Sequence, residues 1–171
     1  MMNEKILETE RLLLEKASIN DSKFFFELLN SPNWIEHIGD RGIKSETHAI
    51  TYIKKSLLTS YSSKGYGLYK VSLKNTQAPI GICGFVKREY LKNPDIGFAI
   101  LPDYEGKGYM TEIAIATLAY GKSNLGIHPI YAITTAENSR SCMLLTKIGL
   151  SEIGKIQPPD SKIKFLLFSN E

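Results

Sequence analysis

The stretch DIGFAILPDYEGKGYMTEIAIATLAYG, residues 95–121, runs from one apolar segment into another through a glycine pair, and the fold turns on it. Residues 95–101 have the short apolar character of a buried strand, whereas the small apolar residues after Gly108 suit a helix pressed closely on a sheet. PIYAITT, residues 129–135, reads as the next strand. Strand, helix and strand make a βαβ unit, which predicts a parallel pair joined by a right-handed crossover. The turn at Gly106-Lys107-Gly108 then presents its backbone at one edge of that pair.

A helix N-terminus carries backbone N–H groups without intrahelical partners and about half a positive charge from the macrodipole. Glycines at 106 and 108 remove side chains that would keep an anion from those groups, Lys107 adds a cation, and Thr111 offers a hydroxyl. A phosphate or pyrophosphate fits this chemistry. A strand-to-helix corner eased by glycine, with no ligand, fits the local spacing too. The second G-x-G of the chain, Gly65 and Gly67, precedes a strand and opens no helix, so a turn or close packing accounts for it.

Outward from this unit, TERLLLEKA (9–17) reads as a first strand, and Asn20 or Asp21 can cap a helix over SKFFFELLN that stops at Ser31-Pro32. A second helix is predicted from about Ser45 to Tyr61, with Ile50, Ile53 and Leu57 inward and Lys54 and Lys55 in solvent. GYGLYKVSL and IGICGFVKRE, joined by KNTQAP, form a predicted hairpin. The helix after Gly106 is predicted to end at Gly121. SRSCMLLTKIG forms a last helix ended by Gly149, and LSEIGKI and IKFLLFS form closing strands. The expected fold class is therefore α/β, a mixed and mostly antiparallel sheet with one parallel βαβ unit and about four helices, in a single domain over 1–171.

Composition narrows the function. The 43% hydrophobic content of 171 residues suits one soluble core, and no apolar run approaches the ~18 residues of a membrane span, so a cytoplasmic protein with no membrane partner is expected. A net charge of +3 with dispersed lysines indicates no nucleic-acid surface. Cys83 and Cys142 sit in apolar stretches without metal-ligand spacing and read as buried free thiols; His37, His48 and His128 fall in separate segments, so no metal is expected. A Walker loop fails because Ala116 stands where its first glycine belongs, ahead of Gly121-Lys122-Ser123. A dinucleotide fingerprint lacks its third glycine, replaced by Thr111.

FAILPDYEGKGYMTEIAIATLAYG followed by IYAITTAENSRSCMLLTKIGL resembles the acetyl-CoA-binding half of the GNAT family of N-acetyltransferases. TERLLLEKASIND and HIGDRGIKS are similar to the branch of ribosomal-protein alanine N-acetyltransferases. The resemblance implies a GNAT-like acyl-CoA N-acyltransferase fold with acetyl-CoA as co-substrate. The family's Q/R-x-x-G-x-G/A loop falls on Glu105, Gly106, Lys107, Gly108, Tyr109 and Met110, with Glu105 and Met110 departing from the pattern at its two ends. Its N–H groups would hold the pyrophosphate of coenzyme A, with Thr111 beside them. The strand from Phe98 to Leu101, with Phe98 and Ile100 as the implied contacts, would pair its backbone with the pantetheine arm and aim an N–H at the acetyl carbonyl, where negative charge develops. The later N-x-x-S motif falls on Asn138 and Ser141, with Lys147, Gly149 and Leu150 closing it. Asn138 is implied as a coenzyme A contact, and from the residues alone it is equally a helix N-cap.

The implied reaction is direct attack of a neutral primary amine on the acetyl thioester. Asp95 is the candidate base, directly or through water, with Glu89 and Glu36 weaker, and Ser141 is the candidate acid for the thiolate. The tyrosine that many relatives carry on the last helix is replaced by Met143, Leu144 and Leu145. The acceptor, a protein N-terminus or a small-molecule amine, would bind between Phe24 and Ile53 and near Tyr90, where Trp34, Glu36, His37, Asp40 and Arg41 cluster. Two other readings stay open: a non-catalytic acyl-CoA-binding module, and a nucleotide-binding domain. The chain gives no oligomeric state, and a homodimer stays open.

Overall fold

The computed structural model describes residues 3–171. Its first surprise is the N-terminal strand, which is a hairpin of β1 (Lys5–Glu8) and β2 (Leu12–Glu15). Thr9 breaks the run, donating its N–H to Leu12 O at 2.9 Å and accepting Leu12 N–H on its hydroxyl at 3.2 Å. Helix α1 (Ser22–Leu29) has the predicted Asp21 at its N-cap position, but the Asp21 side chain makes no bond to α1 and instead closes a reciprocal cap with Ser18 on the preceding 3-10 turn. Ser31-Pro32 does stop α1, but proline at the first helical position also starts α2 (Pro32–His37), an element absent from the sequence reading.

The second predicted helix exists but is not uniform. It comprises α3 (Glu46–Tyr52), capped by Ser45, a π turn (Ile53–Leu58) and α4 (Thr59–Lys64). Thr59 Oγ1 donates to Lys54 O at 2.9 Å across the π turn. Ile53 and Leu57 are buried and Lys54 and Lys55 exposed, as the period predicts.

Strands β3 (Leu68–Leu73), β4 (Pro79–Val86) and β5 (Asp95–Ile100) form an antiparallel meander. A 3-10 turn (Pro102–Tyr104) leads to α5 (Tyr109–Leu125), followed by β6 (Tyr131–Thr134), α6 (Ser139–Lys147), β7 (Ser151–Ile156) and β8 (Phe165–Ser169). The eight strands make one sheet in the order β1-β2-β3-β4-β5-β6-β8-β7, antiparallel except for the β5–β6 pair. The α/β mixed sheet and its single parallel unit are as predicted.

Helix α5 runs past its predicted end. A Cβ on Gly121 would lie 2.4 Å from Phe85 Cζ, so this glycine is a contact between helix and sheet, and the stop comes at Gly126 with φ +66°. The control pair behaves as expected: Gly65 ends α4 and a Cβ at Gly67 would meet the Tyr61 ring at 2.9 Å. Cys83 is a buried free thiol, its pKa pushed up to about 12 by burial, with hydrogen bonds from Thr117 and Gly84 opposing. Cys142 is also free but only half-buried, a correction to the sequence reading; α6 turns it toward the cleft described next. Among the described residues no helix is long and apolar enough to cross a membrane.

Candidate active site

Strand β5 meets its two neighbours unequally. It pairs with β4 at six residues, Asp95 through Ile100, and with β6 only where Asp95 faces Tyr131. Beyond that point the parallel strands splay, and a cleft of about 1850 Å³ opens between them. Leu101 N–H donates to Ile80 O on β4 at 2.8 Å, so strand alternation turns the N–H and C=O groups of Phe98 and Ile100 to the cleft side. A sheet edge inside a protein is a template for an extended, amide-bearing ligand. That arrangement fits the pantetheine arm of coenzyme A.

The glycine loop lies at one end of this cleft. Gly106 and Gly108 have φ of +73° and +80°, conformations that disfavour other residues, and Gly108 is the N-cap of α5. Gly106, Gly108, Tyr109, Met110 and Thr111 line the cleft, whereas Lys107 does not. The loop is held from behind by a residue that sequence reasoning missed. Arg11 donates to Lys107 O at 3.1 Å, to Glu112 Oε2 at 2.7 Å, and stacks 4.4 Å from the centre of the Tyr109 ring. Because a trans peptide sets C=O and N–H in opposite directions, holding the Lys107 carbonyl points the Gly108 N–H away from Arg11.

Glu112 completes the brace, accepting from Thr9 Oγ1 at 2.7 Å and from Arg11 N–H at 2.9 Å. Burial alone would raise its carboxyl, but the bonds from Thr9 and Arg11 outweigh burial and hold its pKa below the usual value. The pair of TER at 9–11 and acidic Glu112 in the first turn of a helix was the available signal; nothing in one sequence says that they meet.

Across the loop, Asn138 is the N-cap of α6, accepting Ser141 N–H on Oδ1 at 3.2 Å, and both residues line the cleft. The cap reading of Asn138 thus holds without excluding a ligand on its amide nitrogen. Glu105, which replaces the family's usual Gln or Arg, accepts hydrogen bonds from Asn33 on α2 and from Arg140 on α6. Its charge is thereby neutralised beside a loop suited to phosphate, and it ties α2 to α6.

Asp95 is almost fully buried, at 1% exposure, where the β5–β6 gap closes. It is no exposed strand-end acid. Arg88 Nε donates to its Oδ1 at 2.8 Å, and Arg88 Nη2 lies 3.4 Å from Oδ2, the less engaged oxygen. Burial raises the Asp95 pKa, with Arg88 opposing, so the carboxylate is more basic than an ordinary one. Trp34, His37, Arg41 and Tyr90 line the same cleft, while Glu36, Asp40 and Glu89 do not. The π turn contributes Ser56, and the β7–β8 loop contributes Pro158 and Ser161, which the sequence reading had not placed there.

A mixed sheet opened between the parallel strands β5 and β6, with a glycine-capped helix at one end of the opening, fits an extended ligand that ends in phosphate, as an acyl-CoA does. The sequence pattern of the acetyltransferase (GNAT) domain matches residues 11–151, and the chain belongs to that family. It is 27% identical over 153 residues to the uncharacterized N-acetyltransferase YoaA of Bacillus subtilis (strain 168), covering 89% of this chain and 86% of the relative. Among solved structures, the ribosomal-protein-S5-alanine acetyltransferase of Vibrio fischeri shares the fold with a TM-score of 0.73 at 16% identity, covering 95% and 94% of the two chains. The ribosomal L7/L12 α-N-protein acetyltransferase RimL, in complex with coenzyme A, aligns with a TM-score of 0.81 at 15% identity over 97% of each chain. The class is that of acetyl-CoA-dependent acetyltransferases.

Proposed function

We propose that this chain, as a single domain, transfers the acetyl group of acetyl-CoA to a primary amine by direct attack. The observation that carries the proposal is the opening between β5 and β6, which leaves backbone donors of Phe98 and Ile100 facing a cleft whose end is the Gly106–Thr111 loop. The pantetheine arm would lie along β5, its pyrophosphate on the N–H groups of the loop, with Asn138 beside it and Lys107 adding its charge from outside the cleft lining. In the step itself the amine nitrogen bonds to the thioester carbon, the oxygen gathers charge beside a β5 N–H, and the C–S bond then breaks. Asp95 takes the amine proton at Oδ2, directly or through water, and Ser141 relays a proton to the departing thiolate while its own hydroxyl is reprotonated from cleft water.

Asp95 suits the base role because burial makes it more basic while Arg88 fixes its orientation. Protein N-termini and small-molecule amines are both acceptors within this reading, and ribosomal-protein acetyltransferases stand among the structural neighbours. Calorimetric titration with acetyl-CoA, coenzyme A and ATP, followed by thiol release with an amine panel, tests it. Micromolar binding of acetyl-CoA over ATP with amine-dependent thiol release is expected. Binding without release by any amine leaves a non-catalytic acyl-CoA module, and ATP preferred over acetyl-CoA leaves a nucleotide site.

A further inference from the structure

The cleft is unevenly charged, and the imbalance lies on the side away from the glycine loop. Three carboxylates line it, Asp95, Glu105 and Glu137. Asp95 is committed to Arg88 and Glu105 to Arg140, and Glu137 stands on the β6–α6 connection. Six Lys and Arg side chains line the same cleft, of which Arg140 and Lys147 belong to α6.

Arg41, after α2, and Lys64, at the end of α4, line the cleft from the helical segment that precedes β3. Among the described residues neither forms an ion pair. Lys87 adds a third positive charge, anchored through Leu91 O at 2.8 Å and Lys92 O at 3.3 Å. Burial raises the Tyr52 phenol and the charge of Arg41 partly offsets it, which places Arg41 within electrostatic reach of a cleft-lining side chain.

An acceptor with several ammonium groups would therefore meet like charge at Arg41 and Lys64, with Glu137, among the described residues, the one lining carboxylate left unpaired, whereas a carboxylate or phosphate would meet two unpaired cations. We infer that the acceptor is a primary amine that also carries an anionic group, bound through Arg41 and Lys64. The inference rests on the acetyl-transfer reading and names its substrate class. The amine enters toward Asp95 and the anionic group stays at the rim.

Matched probes test it, with acetyl-CoA affinity measured separately on every protein. O-phosphoethanolamine is compared with ethanolamine, a tetrapeptide rich in Asp and Glu with a lysine-rich one, and spermidine serves as the polycation. The anionic member of each pair should show at least about tenfold higher kcat/KM, the equivalent of one favourable charge contact near a protein surface. The double variant Arg41→Glu, Lys64→Glu should lose that preference through KM while acetyl-CoA affinity stays within about twofold. The two pairs separate a small anionic amine from an acidic chain terminus. Equal or better use of ethanolamine, the lysine-rich peptide or spermidine overturns the inference, as does a preference that survives in the double variant. Intact acetyl-CoA binding with no turnover of either anionic probe overturns it too, whereas loss of acetyl-CoA binding in the wild-type chain strikes the underlying acetyl-transfer reading.

Discussion

Strand β5 is paired along six residues on its β4 side and at one residue on its β6 side. The two flanks belong to the same strand and the same sequence, so the difference comes from what lies beyond it. On the β4 side the residues 87–94 turn the chain straight back into an antiparallel neighbour, whereas on the β6 side a whole helix intervenes, and α5 packs against β4 and β5 while the parallel pair meets only at Asp95 and Tyr131. One flank builds the sheet. The other offers its backbone to a ligand.

The comparison can be broken most severely at the glycine loop. Gly108→Asp places a carboxylate where the proposed function puts the pyrophosphate, and a loss of acetyl-CoA affinity of about 100-fold or more is expected from like-charge repulsion. Thermal unfolding should change little, because a Cβ there meets nothing closer than Arg11 Nη2 at 3.5 Å, although φ of +80° adds some strain. Calorimetry on the folded variant checks it; retained affinity would dissociate the loop from the ligand.

Bracing is the next lever. Arg11→Ala releases the Lys107 carbonyl and removes the cation over Tyr109, so acetyl-CoA binding should weaken about tenfold, the cost of reorganising a preformed site. A fluorescence titration reads this directly, and unchanged affinity would show that the loop needs no support from the β1–β2 turn.

Gly121→Ala sharpens the contrast from the opposite side. The added methyl would press on Phe85, which is fully buried, and overpacking of this kind costs about 1–3 kcal/mol. Denaturant unfolding should show that loss, with acetyl-CoA affinity nearly preserved because α5 is displaced far from its N-terminus. An equal loss of both would join packing and binding into one unit.

The smallest effect is expected from pH. Glu112 has a depressed pKa in the folded chain, so its contribution to stability is complete above the unfolded value of about 4.3 and is lost as pH falls through the folded value. The stability gap between the wild type and Glu112→Gln should hold steady at neutral pH and shrink below about pH 4. Urea midpoints measured at both ends of that range check the sign, and a gap that widens in acid contradicts it.

The sequence made the backbone-built half of this site readable and left the side-chain-built half dark. DIGFAIL, the glycine turn and the small-residue helix each carry a local signature, and together they announce the βαβ unit and its edge. Pro32 was read as a stop because proline ends helices, yet it opens α2 by the same fixed φ, and a single sequence does not choose between these roles. The π turn at Ile53–Leu58 keeps an ordinary amphipathic pattern and leaves no mark in composition. Arg11 with Glu112, and Glu105 with Arg140, are pairs of ordinary charged residues brought together only by tertiary folding. Asp95 was legible as an acid at a strand start, whereas its burial against Arg88 depends on the loop that returns from β4.

Amide hydrogen exchange on β5 tests the central claim most directly, comparing the free protein with acetyl-CoA and with adenosine 3′,5′-bisphosphate, which lacks the pantetheine arm. Protection of the Phe98 and Ile100 amides by acetyl-CoA but not by the bisphosphate is the predicted result. Saturating acetyl-CoA that leaves both amides exchanging as in the free chain would contradict a ligand strand in the β5–β6 gap.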